Sequence, residues 1–347
     1  MKLAKLLSSS SQHAALTAAA MASTARRPQL RIVLDWDGTL TCKDTMSTLG
    51  HIPKHRNLRT RSKPAPRTGW AEFGKAWMED YSAHARDYRP SKDDRMTVAQ
   101  ESEWLRSLKA VEEASAERVA ESGFFRGVDG HNVAATAQQA VASGDLRLRP
   151  GVLEFLNKHT PGSGREVAVG SSVEILSVNW SAHFIRESLV ASTEDRDLCA
   201  RLEQVPIVAN EIQGLEDPDG SSGVITGAIQ TSADKLVRLD PPNPPGQMSQ
   251  PPTTVYIGDS PTDFDCLLAA YAGICIRDQP MGSGQRELAE TFERMDIPVH
   301  HVLEAGRHRL AGVWWARDFK EVETWVCEWQ EDNRDSTVDS GSSSSGG

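Results

Sequence analysis

Two short stretches hold carboxylates where they could do chemistry. VLDWDGTL at 33–40 puts Asp35 and Asp37 two residues apart after an apolar run. YIGDSPTD at 256–263 puts Asp259 after another, with Asp263 four residues on. Acids this close repel when ionised, so an unpaired cluster is costly. A hard divalent cation resolves it, and Mg²⁺ prefers a few carboxylates completed by water and phosphate oxygens. A carboxylate can also attack phosphorus as a nucleophile, provided the charge on the phosphoryl oxygens is neutralised. A second carboxylate with a raised pKa can protonate the leaving alkoxide and later deprotonate water. Asp37 is placed for that. Gly38 lets the chain turn tightly, and the Thr39 hydroxyl can hold the turn or a phosphate oxygen.

These residues need a scaffold that brings them together. LRIVLD at 30–35 and TTVYIG at 253–258 read as short, fully apolar strands of the kind buried on both faces of a parallel sheet. Strand-like segments also lie within 166–176 and at PIVA (206–209) and GICI, while VITGAI (224–229) reads as half of a hairpin. Helical patterns at 151–159, 179–190, ADKLVRL, TDFDCLLAAY and DFKEVETWVCEW alternate with them, and VHHVL lies near the end. This alternation predicts an α/β fold, a Rossmann-like parallel sheet with helices on both faces. In such sheets ligands bind at the carboxyl ends of the strands, where Asp35 and Asp259 both fall. Residues 69–139 are helical in pattern, with Trp70, Trp77 and Trp104 on apolar faces that read as core. The expected boundaries are an extension at 1–28, an α/β core at 29–45 and 146–331, a helical insertion at 46–145, and a disordered tail at 332–347.

Composition narrows the partners. The chain has 347 residues, 39% hydrophobic and 25% charged, with a formal net charge of −10. That balance argues against broad binding to nucleic acid or acidic membranes, and no stretch approaches the ~20 apolar residues of a membrane span. The basic run at 54–67 reads as an exposed loop. Five scattered cysteines without a CxxC pair suggest neither a disulfide framework nor a zinc site. A reducing, cytoplasmic setting is expected. The first 31 residues contain five Lys/Arg and no acid, so a mitochondrial targeting segment is the alternative. Oligomeric state is not legible.

DWDGT at 35–39 and GDSPTD at 258–263 resemble the first and fourth motifs of the haloacid dehalogenase (HAD) superfamily, and ILSVNWSAHFI, ANEI at 209–212 and the TGAI hairpin resemble its phosphoserine phosphatase-like branch. Between the first and fourth motifs that family places a Ser or Thr at a strand end and a Lys near a helix start. Lys235 in TSADKLVRL matches the Lys. Ser177 in ILSVNWSAHFI matches the Ser, with Ser171 or Ser172 in VAVGSS as the rival. The resemblance covers roughly residues 30–330, and the helical insertion fits the family's cap. It implies Asp35 as nucleophile and metal ligand. Asp37 would be general acid/base, its backbone carbonyl also on the metal. Ser177 and Lys235 would hold phosphoryl oxygens. Asp259 would be a metal ligand, and Asp263 a ligand or an orienter. Trp36 stands where Phe is more usual, with no expected change in chemistry. The implied activity is Mg²⁺-dependent phosphatase chemistry on a small phosphorylated metabolite through an aspartyl-phosphate. A phosphomutase, or a non-catalytic binding or regulatory protein on the same scaffold, is the alternative.

Overall fold

The computed structural model describes residues 29–55, 69–160, 171–239, 252–304 and 311–339. The expected 1–28 extension, most of the basic run and most of the Pro-rich 241–252 segment lie outside them. Strand β1 (Leu30–Leu34) is followed by a tight loop and the short helix α1 (Met46–Leu49). Four helices come next: α2 (Trp70–Asp87), α3 (Val98–Ser107), α4 (Lys109–Ser122) and α5 (Gly130–Ser143). The chain then alternates through α6 (Val152–His159), β2 (Ser171–Leu176), α7 (Ala182–Ala191), α8 (Arg196–Leu202) and β3 (Ile207–Val208). A two-stranded antiparallel pair, β4 (Glu211–Ile212) and β5 (Ile225–Thr226), leads to α9 (Ser232–Leu239). The rest is β6 (Thr253–Gly258), α10 (Phe264–Ala269), β7 (Ala272–Ile276), α11 (Ser283–Arg294), β8 (Val299–His301), β9 (Gly312–Ala316) and α12 (Phe319–Asp339).

The seven-stranded sheet has the order β3-β2-β1-β6-β7-β9-β8, with every pairing parallel. It is the expected α/β architecture. Side chains alternate across the strands, so each face builds its own core. Leu30, Ile32 and Leu34 join Val255 and Ile257 with α6, α7 and α12 on one face. Val33 and Tyr256 join α10 and α11 on the other. β1 and β6 are adjacent and central, so the ends bearing Asp35 and Asp259 are neighbours although they are 224 positions apart in the chain.

Several local features differ from the sequence reading. β9 was not anticipated; its GVWWA segment sits between β7 and β8 and buries Val313 and Ala316. α8 was likewise missed. The last helix continues to Asp339, past the expected tail boundary at 332, because no Gly or Pro interrupts the chain from Phe319 to Ser340. α5 falls inside the span expected to be the cap, yet Val133, Ala137 and Ala140 share the core cluster of α7, against which it packs. No described helix is long and apolar enough to cross a membrane.

Candidate active site

Asp35 leaves β1 at its carboxyl end while its N–H still donates to Ile257 O of β6 at 2.9 Å. Asp259 follows β6, and Ser177 follows β2 with its N–H on Val208 O at 3.0 Å. Parallel pairing places all three on one edge of the sheet. Ser171 and Ser172 pair with Leu30 and Arg31, at the opposite edge. At ~3.3 Å per strand residue they lie some 15–20 Å from Asp35.

Lys235, on α9, is fully buried rather than solvated. Its Nζ donates to Asp35 Oδ1 at 2.6 Å and Asp263 Oδ1 at 2.7 Å. Burial works against its charge, but Asp263 and Asp35 outweigh burial and raise its pKa. Asp263 is engaged on both oxygens. Oδ2 accepts the N–H groups of Asp259 (3.0 Å) and Ser260 (3.1 Å), and Oδ1 accepts Tyr256 OH (2.7 Å) besides Lys235. Its bonds set the loop that aims Asp259.

Asp35 and Asp259 are left crowded. Burial, then Asp263, push Asp35 up to about 7 against the pull of Lys235. Burial, then Asp35 and Asp263, push Asp259 well above the usual carboxylate range. Among the described residues Asp259 accepts one hydrogen bond, from Thr39 Oγ1 at 3.3 Å. Oxygens of Asp35, Asp259 and Asp263 lie within 4.8 Å of one another. Three buried acids around one lysine, with Asp259 scarcely hydrogen-bonded, fit a hard divalent cation.

Asp37 belongs to a different network. Its Oδ1 accepts the N–H and the hydroxyl of Thr45, both at 2.6 Å, and its Oδ2 accepts Asn179 Nδ2 at 2.9 Å. Burial, then Asp44, push it up to about 6 against these bonds. Trp36 enters this network too. Its indole Nε1 donates to Thr45 Oγ1 at 3.1 Å, a bond that Phe could not make. Ser177 is buried, and its Oγ accepts Asn179 N at 3.1 Å.

The loop between the two acids is held from several sides. Gly38 has φ 74°, and a Cβ there would collide with the Asp259 carboxylate. Thr41 Oγ1 accepts Gly38 N and donates to Trp36 O, both at 3.1 Å. Arg149, 4% exposed, donates to Gly38 O (2.8 Å) and Thr39 O (3.1 Å) while paired with Asp278 (2.5 Å). Thr45, Asn179, Arg149, Asp278 and Tyr256 were not singled out from sequence. Thr45 and Asn179 sit close after Asp37 and Ser177, which was the available signal; Arg149 gave none.

No family model matches the chain. A CTO1 family protein of Schizosaccharomyces pombe is 28% identical over 279 residues, 79% of this chain and 91% of that protein. A phosphoserine phosphatase solved as a phospho-aspartyl intermediate analogue is 12% identical, covers 86% of this chain and 99% of its own, and gives a TM-score of 0.42. Cytosolic 5'-nucleotidase IIIB bound to cytidine is 15% identical, with 88% and 87% covered and a TM-score of 0.45. Likenesses this low carry no argument. In the structure four sequence blocks meet at one sheet edge: the paired acids after β1, Ser177 after β2, Lys235 on α9 and the acids after β6. The fold is a Rossmann-like parallel sheet flanked by helices.

Above this sheet edge, α2 and α4 of the helical insertion roof a cavity of about 340 Å³. Its floor is built by Val178, Gln230 and Thr262, neighbours of Ser177, Lys235 and Asp263 in the chain. Trp70 and Trp77, expected as core, line it; Trp104 is 3% exposed and is core.

Proposed function

We propose that the chain is a Mg²⁺-dependent phosphoric monoester hydrolase of the HAD type, acting on a small phosphorylated metabolite. The observation that carries this reading is the separation of the two acids of DWDGT into unlike networks. Asp35 faces Lys235, and Asp37 faces Thr45 and Asn179. Burial raises both acids, Asp35 to about 7 and Asp37 to about 6, so ionised Asp35 would rely on Lys235 and a bound cation to act as a nucleophile, while Asp37, which no described cation faces in its network, can hold a proton for a leaving group.

In the first step an Asp35 carboxylate oxygen attacks phosphorus, and the bond from phosphorus to the ester oxygen breaks. Asp37 delivers its proton to that oxygen and the alcohol leaves. In the second step water attacks phosphorus of the aspartyl-phosphate and gives a proton to Asp37, and the carboxylate of Asp35 is regenerated with release of phosphate. Lys235 and Ser177 hold phosphoryl oxygens, and Thr39 supports Asp259 or a phosphate oxygen. Asp35, Asp259 and the Asp37 carbonyl would hold Mg²⁺, with Asp263 fixing the loop or completing the set. The ion supplies positive charge against the phosphoryl oxygens.

The test is turnover of 4-nitrophenyl phosphate with MgCl₂. Wild type is expected to be active and Asp35→Asn inactive. Asp37→Asn is expected to bind phosphate esters but lose about 10²–10⁴ in kcat. Activity that survives Asp35→Asn, or none in pure wild type, overturns the reading.

A further inference from the structure

The cavity under the cap has a chemistry of its own. Trp70, Trp77 and Trp180 supply three indoles, and Phe73 a phenyl ring. Trp70 is braced edge-on by Trp180 at 5.9 Å and by Phe125 at 5.8 Å, and Trp77 stacks on Tyr81 at 5.3 Å. The walls are therefore pre-set rather than adaptable. The only charged residues on the described lining are acidic, Asp44 and Glu112, with no Lys, Arg or His. Glu112 Oε1 accepts Trp77 Nε1 at 2.9 Å, and no described cation offsets the burial that raises its pKa.

Gly74 adds an independent observation. It lies within α2, where glycine weakens a helix by roughly 0.5–1 kcal/mol relative to alanine. A Cβ there would meet nothing within 4 Å, and Gly74 lines the cavity. Gly74 is exposed and no close neighbour excludes a side chain, so a larger residue there has room to enter the cavity. At about 340 Å³ the cavity is within the ~300–1,000 Å³ usual for small-molecule sites.

Aromatic faces attract cations through their quadrupoles, and a cation beside Glu112 would stabilise its charged form against burial. We propose that this cavity binds the leaving group of the substrate, and that this group is an organic cation: a positively charged nitrogen on an apolar body, set among Trp70, Trp77 and Trp180 and facing Glu112. The inference rests on the phosphatase reading for its link to turnover, but not for binding. The dephosphorylated cation binds whether or not the site hydrolyses esters.

Isothermal titration calorimetry of the full chain tests it with paired probes: choline against its neutral isostere 3,3-dimethylbutan-1-ol, and benzylamine against benzyl alcohol. At least one cation is expected to bind about tenfold or more tighter than its partner. A choline preference identifies a quaternary head, and a benzylamine preference an aromatic body. Glu112→Gln is expected to bring the ratio below about threefold, and Gly74→Leu, with unchanged circular dichroism, to remove binding of all four probes by filling the cavity. Equal affinities within both wild-type pairs overturn the proposal, and so does a preference that persists in Glu112→Gln. The wild-type comparison stands even if a variant fails to fold. Turnover of 4-nitrophenyl phosphate reports separately on the phosphatase reading.

Discussion

Lys235 is the cation on which Asp35 and Asp263 both depend, while Asp259 stands beside them nearly without hydrogen bonds. Burial and the neighbouring acids penalise its charge, so the site's geometry is held against an electrostatic cost. Such costs are common where function needs a strained arrangement. Asp259→Asn is expected to stabilise the metal-free protein by about 1 kcal/mol, roughly 1–2 °C in Tm for a chain of this size. The same variant is expected to lose the upward Tm shift that MgCl₂ gives the wild type. Differential scanning fluorimetry with and without MgCl₂ checks both. A lower metal-free Tm in the variant would contradict the crowding argument.

At the level of elements, the loop after β1 is shaped by partners from remote segments. Arg149 grips two of its carbonyls while Asp278, just past β7, steadies the guanidinium. Small displacements near reacting atoms can cost about 10² in rate. Arg149→Met is therefore expected to lower kcat on 4-nitrophenyl phosphate by more than about tenfold with far-UV circular dichroism unchanged. Wild-type kcat in a folded variant would remove Arg149 from the positioning role. Trp36 acts in the same sense on a smaller scale. The sequence reading treated it as a large apolar residue equivalent to Phe, and its indole N–H proves to support Thr45, which in turn supports Asp37.

Across the whole molecule, ion pairs and a hydrogen bond tie the helical insertion to the core. Glu101 of α3 accepts Arg95 and, from α11, Arg294, each at 2.7 Å. Ser102 donates to Asp265 of α10 at 2.5 Å, and Lys109 to Asp234 of α9 at 2.8 Å. On the far side, α12 is fastened to α6 through Glu323, which accepts His159 Nε2 at 2.6 Å and also Lys158. Burial would raise the Glu323 pKa, but the bonds from His159 and Lys158 overcome it and hold it at about 2. A carboxylate with a depressed folded pKa contributes stability that is complete above its unfolded value and lost as pH falls toward the folded one. Thermal stability should therefore fall as pH drops from about 4.5 toward 2. Glu323→Gln should lower Tm at pH 7 and flatten that acid limb; a Tm-against-pH series on both proteins decides it.

What the sequence by itself determined was local. An apolar run long enough for one buried strand, closed by an Asp with a Gly close by, marks a strand end at Asp35 and at Asp259, because strand period and turn chemistry act over a few residues. The parallel α/β architecture followed from the same patterns. The strand GVWWA was overlooked although its pattern is equally local, and Thr45, Asn179 and Arg149 stayed unnoticed because their partners are set by chain crossings rather than by spacing. Only the tertiary structure decided between Ser177 and Ser171 or Ser172, since that turns on where β2 begins to pair with β1. It also decided that Lys235 is buried on two carboxylates instead of solvated. The raised pKa values of Asp35, Asp37 and Asp259, and the aromatic, acidic cavity above them, likewise belong to the folded chain. Desolvation and electric field at a side chain come from neighbours hundreds of residues away, and no window of the sequence contains them.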